Sequence, residues 1–125
     1  MSKKNYFQPK EFDSPDAPGT GMNMDPELVA ILNDMREECG FPFIINSGVR
    51  TPRHNRDVGG TEASDHLMKY DGFAHAVDIR CTTSQQRFAI VRAALVRGIT
   101  RIGIGKTFVH IGNWGDNPQD VIWMY

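Results

Sequence analysis

Three polar residues sit where burial would penalise them. His66 closes Ser64-Asp65-His66 at the edge of a polar loop, Asp78 interrupts the apolar run Ala76-Val77-Asp78-Ile79, and His110 interrupts Phe108-Val109-His110-Ile111. An aspartate or histidine inside such a run is costly unless it finds a partner. One zinc ion could partner all three, because two imidazoles and a carboxylate form a catalytic ligand set that leaves the fourth tetrahedral position for water. Strand side chains alternate, so His110 points away from Val109 and Ile111, and Asp78 points with Ala76; both can face one cleft. The competing assignment makes Asp78 the cap of a strand end, His110 a hydrogen-bonded core histidine and His66 loop surface. Spacing alone leaves both open.

Other ligands are scarce. The 125 residues include four histidines (His54, His66, His75, His110) and two cysteines (Cys39, Cys81). The cysteines form no C-x-x-C pair and are too few for a disulfide framework, which excludes a sulfur-rich zinc site. Both are expected to be small buried residues, Cys39 on a helical stripe and Cys81 at a strand end. His75 has strand parity opposite to Asp78 and is expected outside the ligand set. Fourteen Lys+Arg against fifteen Asp+Glu give a net charge of -1, so no global field draws nucleic acid or anionic lipid. No apolar run approaches the roughly 18–20 residues of a membrane span. Met1 to Lys4 is polar and basic with no apolar segment behind it, so cytoplasmic synthesis without a secretory signal is expected.

The elements that must position these residues can be read from period and punctuation. The length suits one domain, 1–125, with residues 1–6 expected to be flexible. Asp13 to Gly21 is dense in turn formers and reads as a loop. Asp25 can cap a helix that Pro26 opens, with Leu28, Ile31, Leu32, Met35 and Cys39 on one stripe and Gly40 at its end. Phe41 to Ser47 reads as a strand entering from Pro42, and Thr51 to Arg56 as a short helical turn. Ala74 to Arg80 reads as a second strand. Thr83 or Ser84 can cap a second helix with Phe88, Val91 and Leu95 on one face, closed by Gly98. The runs Ile99–Ile104, Phe108–Ile111 and Val121–Met124 favour an antiparallel meander. The expectation is a small α+β domain, two main helices on an antiparallel sheet.

Several linked segments, in order, give the chain a resemblance to the M15 zinc peptidases, the small phage and bacterial D-alanyl-D-alanine carboxypeptidase-like domains. They are Ile45 to Pro52, His54-Asn55, Val58-Gly59-Gly60, Ser64-Asp65-His66-Leu67, Ala74 to Ile79, Ile102 to Gly105, Phe108-Val109-His110 and the closing Val121 to Tyr125. The resemblance runs from about Phe7 to the end. It implies a Hedgehog/D-Ala-D-Ala peptidase-like fold, Zn2+ as cofactor, and His66, Asp78 and His110 as its ligands. It also implies that Arg50 holds substrate and that Ser64 lies in the substrate site. A guanidinium beside a metal suits that task, since it can grip a carbonyl or carboxylate by two parallel hydrogen bonds; Ser64 can equally serve its own turn. His54 matches a position read as structural, expected to fix the Arg50 turn by a hydrogen bond.

Two departures from the family pattern matter. Leu67 to Phe73 lengthens the connection between His66 and Asp78; this costs little closure entropy but alters the cleft rim. The second departure concerns the general base. Relatives carry a carboxylate three residues before the last histidine or two after it, where this chain has Thr107 and Gly112. Asp65, Asp71 and Asp116 are the acidic candidates and Asp116 is favoured, against simple turn duty with Asn117-Pro118. The expected function is a zinc metallopeptidase acting on peptidoglycan stem peptides, as carboxypeptidase or endopeptidase. It is expected to be a monomer and a phage or prophage lysis product that reaches the wall after release. The alternative is a zinc-containing wall-binding or virion-associated module without catalysis.

Overall fold

Asp25 starts the first helix as the sequence predicts, its carboxylate accepting from the Glu27 N–H (3.3 Å) ahead of α1, Pro26–Cys39. A computed structural model describes residues 4–125 of the chain. After α1 follow β1 (Ile45–Ser47), α2 (Pro52–Asp57), β2 (Ala76–Arg80), α3 (Ser84–Val96), β3 (Arg101–Ile104), β4 (Phe108–Gly112) and β5 (Val121–Met124). Short 3-10 turns form at Pro9–Phe12 and Thr20–Asn23, the second taking in the last two residues of the loop predicted over Asp13–Gly21. Of the segment expected to be flexible, Met1–Lys3 lie outside the described residues. Tyr6 is tied to α1: its N–H donates to Asn33 Oδ1 (2.7 Å), its hydroxyl bonds Glu37, and the Arg36 guanidinium lies 4.5 Å from its ring centre.

The five strands form one sheet in the order β1-β2-β4-β3-β5, antiparallel except for the β3–β5 pair. The predicted meander therefore holds for β3 and β4 but not for β5. Strand β4 is already hydrogen-bonded on both sides, by β2 and β3, so the last strand passes beyond β3 and runs parallel to it, Arg101 opposite Val121. Strand β1 is shorter than predicted and irregular between Ile45 and Ser47. Before it, Pro42 has no N–H to give a ladder, and Phe43 turns into the core.

One face of the sheet carries the core. Val77, Ile79, Ile102, Val109 and Ile111 pack in one buried cluster with Leu28, Leu32 and Met35 of α1 and Ile90, Ala93 and Ala94 of α3. The α3 stripe differs from the one predicted: Phe88 and Leu95 are exposed, and Ile90, Ala93 and Ala94 are buried. Two alanines let the helix lie close to α1 and the sheet, which the larger side chains would hold away. Thr83 is the cap, accepting from the Gln86 N–H at 3.1 Å. Cys81 is buried as expected, whereas Cys39 is only partly so; desolvation pushes the Cys39 thiol up to about 11, which keeps it protonated at neutral pH. Among the described residues, no helix is long and apolar enough to cross a membrane. With α1 and α3 on one face, strand alternation sends Asp78, Arg101, His110 and Trp123 to the other.

Candidate metal centre

Asp78 on β2 and His110 on β4 are direct cross-strand partners, so their side chains leave the sheet side by side. Asp78 Oδ1 lies 2.9 Å from His110 Nδ1. His66 comes from the loop after α2 and is fixed by its backbone and its ring. The Arg50 N–H donates to the His66 carbonyl (2.9 Å), and His66 Nδ1–H donates to the Gly48 carbonyl (2.7 Å). That second bond assigns the tautomer and leaves the Nε2 lone pair facing inward. His66 Nε2 stands 3.3 Å from Asp78 Oδ1 and 3.2 Å from His110 Nδ1.

Three ligand atoms thus converge in a triangle with edges of 2.9, 3.2 and 3.3 Å. Ligands of a tetrahedral zinc, bound at about 2.0–2.1 Å, stand about 3.3 Å apart, so these residues fit such an ion. All three residues are buried, and they alone among the described residues form a cluster able to hold a metal. His110 is positioned by packing: its buried Nε2 has no hydrogen-bond partner, and its ring lies 5.2 Å from that of Trp123. Gly103, opposite His110 on β3, makes room for that indole, since a Cβ there would stand 2.7 Å from Trp123 ring atoms.

Burial raises the Asp78 pKa, but hydrogen bonds from His110 and His66 outweigh it and hold the carboxyl well below the usual range. Burial pushes His110 down, opposed in part by Asp78. Both shifts favour the forms a metal needs, carboxylate and neutral imidazole. They also set a pH dependence. A histidine with a depressed folded pKa stabilises the fold above its unfolded value, about 6.5, and loses that contribution as pH falls toward the folded one. Asp78 adds a further loss only below about pH 4, its unfolded value. The chelator-treated protein is therefore expected to show a melting temperature that drops as pH is lowered from 7 to 5. A rise over that range would contradict the assignment.

A cleft of about 590 Å³ opens over the triad. Arg50 and Ser64 both line it, but each is in use. Arg50 directs Nε to Ser47 Oγ (3.2 Å), Nη1 to Asn55 Oδ1 (3.3 Å) and Nη2 toward Asp78 Oδ2 (3.5 Å). Ser64 Oγ accepts from the His66 N–H at 3.2 Å, so the turn duty is observed. The bond expected of His54 is made by its neighbour, as buried Asn55 joins Arg50 to the Thr61 carbonyl.

Of the acidic candidates, only Asp65 lines the cleft. Asp116 lies outside that lining and accepts from the Tyr70 hydroxyl at 3.2 Å. Asp71 bonds His75 Nε2 (2.7 Å), whose Nδ1 meets Asn113 Oδ1 at 2.9 Å. His75 thus stands outside the triad and pins the lengthened loop to the strand. Asp65 has a fully buried side chain, paired with Arg101 Nε at 2.9 Å and bonded by Asn117. Its carboxylate occupies the space over Gly112, where a Cβ would stand 2.3 Å from Oδ2. Arg101 and Trp123 are cleft residues that the sequence reading missed; the signal was strand parity, which puts both on the face of Asp78 and His110.

A His-Asp-His cluster on the open face of a half-covered sheet, under a cleft, is a candidate metal centre. Residues 5–112 match the family described as Peptidase M15, and the chain belongs to that family. No curated protein matches the chain.

Proposed function

We propose that the chain is a zinc-dependent peptidoglycan peptidase, cutting a stem-peptide or cross-link amide that involves a D-amino acid. The observation that carries the reading is the His66, Asp78 and His110 triangle, of tetrahedral dimensions, in a chain of peptidase family. A zinc ion held there supplies Lewis acidity toward a carbonyl and makes water a competent nucleophile near neutral pH. The chain's own residues do the rest. Gly48 fixes the His66 ring, and Trp123 backs His110. Arg50 steadies the second oxygen of Asp78. We further propose that the enzyme acts on the wall after release from the cell, as a phage-type lysis product working as a monomer.

One observation favours a second reading, a zinc-containing wall-binding or virion-associated module. The cleft is lined by two carboxylates, Asp65 and Asp78, and both are ion-paired, so neither is a free proton acceptor. Purified murein separates the two. The peptidase reading expects new free amines or released D-alanine, abolished by chelator and restored by zinc. Zinc binding with no bond cut in any murein type would establish the module instead.

A further inference from the structure

The proposed peptidase has two cleft arginines, one with every guanidinium nitrogen engaged and one with a nitrogen left over. All three guanidinium nitrogens of Arg50 face protein groups: Ser47, Asn55 and Asp78. Arg101 directs Nε to Asp65 (2.9 Å) and Nη1 to the Pro118 carbonyl (2.8 Å), the side-chain hydrogen bonds it makes among the described residues, which leaves Nη2 over. Its side chain remains 14% exposed and lines the cleft. The guanidinium carbon lies 5.1 Å from the Trp123 ring centre, and that indole packs on His110. Arg101 is therefore one side chain away from the metal triad. It is held rigid by a buried carboxylate, a carbonyl and an aromatic face, with one –NH2 group left over.

The surrounding charge and shape point the same way. The charged lining residues are Arg50, Arg101, Asp65 and Asp78, so the protein charges cancel and a divalent cation leaves the cleft positive. An anionic ligand is favoured there. The Arg101 end is walled by the loop after β4, where Asn117 is tied to the Ala63 carbonyl and to Asp65.

We propose that Arg101 is a specificity-determining residue, whose free Nη2 binds the terminal carboxylate of the peptide beside the scissile bond. The substrate is then a peptide ending at this cleft, and the cut is a carboxypeptidase one. This rests on the peptidase reading above, and the test keeps the two apart.

The probes are acetyl-D-alanyl-D-alanine and its C-terminal amide, offered to the zinc-loaded protein. Affinity is read by stopped-flow tryptophan fluorescence before turnover, and cleavage is read separately. The wild type is expected to bind the acid at least about tenfold more tightly than the amide, the scale of one charge-assisted hydrogen bond. Arg101→Gln should abolish that preference and Arg101→Lys should retain part of it. If Arg101→Gln leaves Asp65 unpaired and fails to fold, Asp65→Asn/Arg101→Gln removes both buried charges and is read for the same ratio. Equal affinity of the wild type for acid and amide, or a preference that survives loss of the Arg101 charge, overturns the proposal. Preferential binding with cleavage of neither peptide overturns the carboxypeptidase assignment and leaves the anchor standing, and the murein assay above then decides the peptidase reading by itself. Cleavage with equal affinities overturns the anchor and leaves the peptidase reading standing.

Discussion

Replacing His66 with alanine is expected to strip the metal from the protein and to lower peptidase activity about a thousandfold. Several kcal/mol of transition-state stabilisation depend on the ion, at about 1.4 kcal/mol per tenfold. His66 is the member of the triad that no strand carries. Its Nε2 reaches Asp78 and His110 only because Gly48 and Arg50 hold the loop by ring and backbone. Loss of that imidazole leaves Asp78 and His110 as a cross-strand pair, a two-atom site that competes poorly with chelators in the buffer. Elemental analysis should find about one zinc per wild-type chain, the stoichiometry of a single tetrahedral site, and almost none in the variant. His75→Gln is the control, since His75 lies in a separate cluster with Asp71 and Asn113; it should keep its zinc. Retention of zinc by folded His66→Ala protein would show that the metal is held elsewhere.

The second large effect is expected from the smallest change, Gly112→Ala. A methyl at that position would meet Asp65 Oδ2 at 2.3 Å. Gly112 cannot retreat, because β4 is laddered to Ala76 on one side and Arg101 on the other. The Asp65 carboxylate must shift, and its partners among the described residues, Arg101 and Asn117, are placed for its present position. Breaking a buried ion pair on one side costs about 3–5 kcal/mol; partial displacement is worth about 2–4 kcal/mol, a fall in melting temperature of roughly 8–16 °C for a chain this size. Asp65→Gly/Gly112→Ala, which removes the clash together with the carboxylate, should not sum the two single effects. A Gly112→Ala protein that melts with the wild type would mean that Asp65 is far more mobile than its burial implies.

Much of the site was legible because strand alternation is a strict rule. Asp78 among Ala76, Val77 and Ile79, and His110 between Val109 and Ile111, reveal their common face from parity alone. The helix caps were legible for a similar reason: Asp25 and Thr83 satisfy N–H groups within a few residues of themselves. What could not be read depends on contacts between distant segments. The position of β5 was set by which edges of the sheet were still free. The buried face of α3 was set by how closely α1 approaches, which favoured two alanines over Phe88. Which of the general-base candidates reaches the cleft could not be read either: Asp71 and Asp116 are bound to His75 and Tyr70, and of the three Asp65 alone lines it. Those partnerships cross the lengthened loop and the loop after β4, and no local pattern encodes them.

The parallel seat of β5 gives the cleft two tiers of permanence. Asp78 and His110 stand on β2 and β4, the inner strands of the sheet, and a fluctuation that separated them would have to break ladders on both sides. Trp123 stands on an edge strand with a single neighbour, and Ile122 and Met124 on its far face are exposed. Peeling β5 away therefore forfeits one ladder and little buried surface, well below the cost of global unfolding. The aromatic wall beside His110 can come off and return while the ladder joining Asp78 to His110 stays closed, so the cleft can widen at its Trp123 side as His110 gives up the ring it packs against.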